Sequence, residues 1–296
     1  MGTTAGVPTK ERAHPAIHIS YRGRKEFCYL FDCGEGTQRQ MLFADLNPMK
    51  LAGIFITHWH SDHYIGIPAL IETLNFEKRT QPLAIYAPES WRVTKLLSLG
   101  YFSSKFEVKT QEVKAEGSRI DKLVDEEEFQ IVSTPVEHGL PAVAYGLVEK
   151  EKINIDKEKA KHFGLPPQGL IYREIKEKGR AIFEGREIKL EEISRREKGK
   201  KLVYSGDTKI CENLIKLAQD ADLLIQDCTY FEELEEMEEY GHPWLEEVVE
   251  MVRNAGVKLA VLTHISRRYR NPRELREKIK NYPMLKIAED FMRIEL

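Results

Sequence analysis

Four short apolar runs in this 296-residue chain each end on a side chain that can ligate a metal ion. "LAGIFIT" stops at His58, "FQIVSTPVE" at His138, "KLVYSG" at Asp207 and "VKLAVLT" at His264. Runs of that length, alternating with amphipathic stretches, predict strands of a layered α/β fold rather than a helical bundle or an all-β sandwich. Loops at the carboxyl ends of such strands carry the sites of layered α/β proteins, so the four residues are expected to converge. "IFITH" and "AVLTH" resemble one another, which hints at two related halves.

The first run leads straight into "HWHSDH", where His58, His60, Asp62 and His63 stand together. At this chain's own His and Asp frequencies such a spacing arises by chance in about one sequence in three thousand of this length, so accident is a poor explanation. Imidazole and carboxylate suit Zn²⁺, and a two-ion site needs about five to seven such groups. In an extended segment His58 and His60 point the same way. Asp62 and His63 then fall one turn on, where "YIGIPALIETLNF" predicts a helix. One metal can be held by His58 and His60, a second by Asp62 and His63. Taken alone, His138 and His264 read as core histidines, and Asp207 in "SGDT" as a turn residue.

Composition limits the alternatives. Lys and Arg number 45 against 48 Asp and Glu, a formal net charge of −3, so the chain has no global basic field for nucleic acid and any polyanion site must be local. Such a locality exists. Glu149 to Lys201 holds 16 Lys and Arg against 11 Asp and Glu, net +5, without a sustained apolar face, and reads as an inserted basic arm projecting from the core. "FEELEEMEEY", residues 231–240, reads as an acidic, solvated helix. Cys28, Cys33, Cys211 and Cys228 form no CxxC pair, no apolar run approaches the ~18 residues of a membrane span, and no leader pattern opens the chain. The expectation is a soluble cytoplasmic protein with reduced thiols and no membrane partner.

Five ordered segments carry a family resemblance. "LFDCGEGTQRQM", "THWHSDHYIGIPALI", "EHGLPAVAYGL", "VYSGDT" and "LAVLTHISRRY" resemble, in the same order, segments of ribonuclease Z, the tRNA 3′-processing endonuclease of the metallo-β-lactamase superfamily. The resemblance spans nearly the whole chain. It implies one metallo-β-lactamase domain over residues 1–296, a four-layered αββα sandwich, with the protruding arm 149–201 acting as a tRNA-binding exosite. It implies two zinc ions per subunit: His58, His60 and His138 on one, Asp62, His63 and His264 on the other, and Asp207 bridging. Asp62 would also serve as general base, His242 in "EYGHPW" as the acid for the leaving 3′ oxygen, and Asp227 as the acidic partner of His242. The implied reaction is cleavage of precursor tRNA 3′ of the discriminator nucleotide by a homodimer.

Departures from the family pattern fall around the acid. Gln226-Asp227-Cys228-Thr229 replaces a His-Glu-Ala-Thr run, and His242-Pro243-Trp244 a His-Ser-Thr run. "PTKERA", residues 8–13, resembles a substrate-loop motif that normally ends in asparagine, whereas Ala13 has no polar side chain. The family's N-terminal strand before the "GT" turn is absent from this sequence. Two rival readings follow: a phosphodiesterase of the same fold acting on a small substrate, and a catalytically weak RNA-binding relative. Gly34 and Gly36 read as tight-turn glycines, and Trp59 as a core side chain.

Overall fold

The computed structural model describes residues 1–100, 105–234 and 241–296. Five strands form the first sheet in sequence order: β1 (Ile17–Arg22), β2 (Glu26–Phe31), β3 (Leu51–Phe55), β4 (Leu83–Ala87) and β5 (Val108–Glu112). Only the β1–β2 hairpin is antiparallel; β2 to β5 run parallel. Strands β6 (Asp121–Asp125), β7 (Phe129–Val136) and β8 (Ala142–Glu149) open the second sheet. The chain then makes β9 (Lys152–Ile155), β10 (Arg180–Phe183), β11 (Arg186–Lys189) and β12 (Ser194–Glu197), which pair off as two short ribbons. It returns as β13 (Lys201–Tyr204), β14 (Leu223–Asp227), β15 (Ala260–Thr263) and β16 (Leu285–Ile287) to complete a seven-stranded sheet in the order β16-β15-β14-β13-β8-β7-β6.

Side-chain alternation explains the layering. Successive strand residues face opposite sides of a sheet. Leu30, Ile54, Leu83 and Ile85 pack with Leu70, Ile71 and Leu74 of the helix Ile67–Phe76, covering one face of the first sheet. Phe31 and Phe55 take the opposite face, stacked at 4.8 Å, and meet Tyr145 of β8 edge-on. Tyr145 is fully buried and donates its hydroxyl proton to the carbonyl of Ile56 at 2.7 Å, joining the two sheets. On the far side of the second sheet, Leu217 of the helix Glu212–Ala218 lies beside Gly146 of β8. This is the layered metallo-β-lactamase architecture that the motifs imply.

Both sheets belong to one compact unit, Met1–Glu126, Gln130–Leu147 and Lys201–Leu296; a second unit comprises Glu127–Phe129 and Val148–Lys200. The second unit has its own small core of Ala160, Leu165, Ile175, Ala181, Ile188 and Ile193. No element there has a long apolar face. Each helix contributes one buried side chain and the β10–β11 ribbon two, which is why the sequence pattern suggested no core. Among the described residues, no helix is long and apolar enough to cross a membrane. The acidic run 231–240 lies outside the described residues from position 235 onward.

Candidate metal centre

All four strand-end residues lie in the loops expected of them. His58 follows β3, His138 follows β7, Asp207 follows β13 and His264 follows β15. The "HWHSDH" segment turns from extended backbone into a short helix, Ser61–Tyr64, which carries Asp62 and His63. That start is earlier than the sequence pattern placed it, and the longer helix begins separately at Ile67. Gly66 divides them because the chain there is pressed against Gly34: a Cβ on Gly66 would lie 2.1 Å from the Gly34 carbonyl oxygen. Gly34 is equally constrained, with space for a Cβ already filled by the Asp62 carbonyl at 2.2 Å. It is a close-approach glycine supporting the site as well as the first residue of the turn, its carbonyl accepting from the Thr37 N–H at 3.3 Å. Gly36, with φ 75° and open surroundings, lies within that turn.

The ligand-type side chains form two groups. Nε2 of His58 and Nε2 of His138 each lie 3.1 Å from Nδ1 of His60. Asp62 Oδ2 lies 3.5 Å from His63 Nε2 and 3.4 Å from His264 Nε2. Asp207 Oδ2 faces both groups, at 3.6 Å from His58 Nε2, 3.2 Å from His63 Nε2 and 3.1 Å from His264 Nε2. Ligands at about 2.0–2.1 Å from a tetrahedral ion stand roughly 3.3 Å apart, so these spacings fit an ion in each group. A second observation agrees. His63 Nε2 is buried and makes no hydrogen bond, 3.5 Å from Asp62 Oδ2 and 3.2 Å from Asp207 Oδ2. The residues present therefore fit a pair of metal ions.

Behind the two groups stand two buried aspartates with the same wiring. Asp32 accepts from His63 Nδ1 at 2.7 Å and from Thr57 Oγ1 at 2.9 Å, while Thr57 Oγ1 meets His58 Nδ1 at 2.9 Å. Asp227 accepts from His242 Nδ1 at 2.7 Å and from Thr229 Oγ1 at 2.8 Å, while Thr229 Oγ1 meets His264 Nδ1 at 2.9 Å. Each aspartate thus fixes one imidazole directly and one through a threonine. Fixing Nδ1 in this way leaves Nε2 for chemistry. Asp32 also accepts from Tyr204 of the second sheet at 2.7 Å. Sequence reading named Asp227 but missed Asp32, Thr57, Tyr204 and Thr229, whose partners are distant along the chain.

The electrostatics divide the two groups. Burial holds His58, His60 and His138 below the ordinary imidazole range. Burial also opposes charge on His63, but Asp207 and Asp32 outweigh it and raise that ring well above its usual value. In His264 burial is again outweighed, by Asp207, Asp227 and Asp62, and the pKa is pushed up to about 10. Asp207 is fully desolvated, yet His264, His63 and His58 hold it well below the usual carboxylate range. A divalent cation suits this donor set, because it supplies the positive charge that the carboxylates otherwise draw from ring protons.

His242 is 12% exposed and stacks at 5.0 Å on His264. Its ligand atom also lies close enough to Asp207 and His264 to form a third group, so the geometry gives it either an acid's place or a metal-side place. Asp227, though one carbon shorter than the glutamate of the family pattern, reaches His242. A cleft of about 550 Å³ opens at His138, lined also by Val136, Glu137, Leu140, Lys209 and Gly241. Trp59 does not face it. Its indole donates to the Pro88 carbonyl at 2.6 Å and packs on Tyr64.

Two paired sheets with histidines and aspartates gathered at their strand ends define a hydrolase of the metallo-β-lactamase class, and the models of that superfamily match here. The "Metallo-beta-lactamase superfamily" model matches residues 19–148, and the "Beta-lactamase superfamily domain" model residues 192–265. The chain is 37% identical to ribonuclease Z of Methanothermobacter thermautotrophicus over all of its own length and 95% of the relative's. It is 42% identical to ribonuclease Z of Thermococcus kodakarensis over 91% of its length and 83% of the relative's. The crystal structure of human tRNase Z, short form, superposes with a TM-score of 0.66 at 26% identity, covering 99% of this chain and 96% of that one. The chain belongs to the ribonuclease Z family.

Proposed function

We propose that this chain removes the 3′ trailer from precursor tRNA, cutting after the discriminator nucleotide and leaving a 3′-hydroxyl on the tRNA, with two zinc ions at the centre described above. One observation carries the reading: two ligand groups meet on Asp207 Oδ2 beside His242 and its buried partner Asp227, in a chain related over its full length to ribonuclease Z. His58, His60 and His138 would hold one zinc, Asp62, His63 and His264 the other, and Asp207 both. When bound, the ions supply Lewis acidity toward the phosphodiester and acidify water.

The other steps belong to side chains. Asp62 takes the proton that water gives up as its oxygen bonds to phosphorus. His242 delivers a proton from Nε2 to the 3′ oxygen as the P–O bond breaks, its Nδ1 being committed to Asp227. Asp227 is a positioning residue that fixes the tautomer and orientation of the ring.

The segment 149–201 serves affinity in this reading. Its net +5 on an otherwise acidic chain suits RNA phosphates, and Arg195, Arg196, Lys198 and Lys200 are exposed. In a homodimer it would act as an exosite for tRNA held at the partner's centre.

Purified protein is expected to carry close to two zinc equivalents and to cleave a precursor tRNA and bis(p-nitrophenyl) phosphate, both abolished by a chelator. Asp207→Ala should lose zinc and both activities together. Full activity without metal, or hydrolysis of the small ester alone, would overturn the reading.

A further inference from the structure

The N-terminal loop reaches into the second ligand group. The backbone N–H of Gly6 donates to Asp62 Oδ2 at 2.9 Å, the same oxygen that faces His63 and His264. The Gly6 carbonyl in turn accepts from His14 Nε2 at 3.2 Å, so this one residue is held through both of its backbone polar groups. Gly6 has φ 47°, in the left-handed region where a side chain is strained, with open space around its Cα.

What places Gly6 is a knot at the root of the loop. The N–H groups of Thr3 and Thr4 donate to the Ala13 carbonyl at 3.0 and 3.1 Å, closing the loop. Asp290 accepts from Thr3 Oγ1 at 2.7 Å, from the Ala13 N–H at 2.8 Å and from Gln40 Nε2 at 3.0 Å. Buried Arg12 donates to Thr3 Oγ1 at 2.6 Å and to the Ala288 carbonyl at 2.7 Å. On the opposite strand of the loop, the Ala5 N–H donates to the carbonyl of Ile265, the residue after His264. Asp290 is thus the shared acceptor for both ends of the loop.

We propose that the loop Thr4–Ala13 is part of one metal site and not of the other: Gly6 N–H and its anchor Asp290 are positioning residues that fix Asp62 for the ion held with His63 and His264. The inference rests on the two-zinc reading above. A hydrogen-bond partner behind a ligand sets its orientation, and removing one costs about 10–100-fold in metal affinity. The group His58, His60 and His138 has no bond to the loop among those the structure gives, so its ion should not feel the change.

The experiment is a zinc competition titration against a chromophoric chelator, resolving the two binding steps of the full chain. Asp290→Ala, which releases the root of the loop, and Gly6→Ala, which keeps the N–H but disfavours the φ of 47° that aims it at Asp62, are each expected to weaken one step by about tenfold and leave the other within about twofold. Asp290→Glu should recover part of the lost affinity. Cobalt(II) substitution gives an independent signature, with the absorption of one site changed and that of the other retained. Gly6→Ala strains only an open loop tip, so it remains informative where Asp290→Ala fails to fold. Unchanged steps in Gly6→Ala, or equal weakening of both, would overturn the inference while leaving the dinuclear reading in place. Wild-type protein that takes up no zinc would overturn both.

Discussion

His242 and Asp227 show how far single residues can be carried by geometry. Their 2.7 Å contact is made by an aspartate where the family pattern has a glutamate, and a β-bridge between Tyr230 and Trp244 brings the two segments together. If His242 is the acid, its loss matters only where the leaving group needs a proton. A ribose 3′ alkoxide does and p-nitrophenolate does not. His242→Ala is therefore expected to slow precursor-tRNA cleavage by about 10²-fold or more while barely changing bis(p-nitrophenyl) phosphate hydrolysis, with zinc content unaltered. Asp227→Asn should show the same selectivity more mildly. Equal losses on both substrates, or loss of zinc, would place His242 in the metal shell with Asp207 and His264. The ligand-type residues of "HWHSDH" were legible because their spacing is local. Asp32 was not: its donors Thr57, His63 and Tyr204 come from 25, 31 and 172 residues away, and nothing in "LFDCGEG" marks an acceptor for them.

Between elements, the strand ends were the readable part. The runs ending at His58, His138, Asp207 and His264 are β3, β7, β13 and β15, since an apolar run that stops at a polar ligand type is what a buried strand entering a site loop looks like. The likeness of "IFITH" and "AVLTH" also has a structural counterpart, though not a strict one. Thr57 bonds the ring that follows it, whereas His264 is served by Thr229 after β14. Legibility failed where three elements meet. Asp32, at the end of β2, ties Thr57 after β3 to Tyr204 at the end of β13, and so links the two sheets directly behind His63. Asp32→Ala would leave the Thr57 amide and hydroxyl and the Tyr204 hydroxyl as buried donors without an acceptor. Removing one member of a buried charged network costs about 3–5 kcal/mol. The expected result is a fall of that order in unfolding free energy by urea titration, together with weakened zinc binding. A loss below about 1 kcal/mol would show that water or rearrangement replaces the carboxylate.

At the scale of the whole molecule, the acidic balance of the chain and the basic balance of residues 149–201 pull in different directions. A net charge of −3 gives no overall attraction to tRNA, and in the function proposed above affinity comes from residues 149–201, which carry net +5. That the segment has its own core makes it separable as a test object, because its buried residues Ala160, Leu165, Ile175, Ala181, Ile188 and Ile193 pack with one another. Hydrogen bonding also marks where to cut. The Glu149 amide donates to the Lys200 carbonyl at 2.9 Å and Lys200 donates its amide to Glu149 Oε2 at 2.8 Å, closing the base of the excursion before β13 begins at Lys201. Replacing residues 151–198 with a short Gly/Ser linker keeps that closure. The shortened chain is expected to bind precursor tRNA more weakly and to lose salt dependence, with the slope of log K against log [salt] falling by about one for each phosphate contact removed. Hydrolysis of bis(p-nitrophenyl) phosphate should stay within about twofold of the full chain, because the proposed ligands and the Asp227–His242 pair are untouched. Matching losses on both substrates would instead mean that the segment supports the catalytic unit, and its charge would then need another explanation than tRNA.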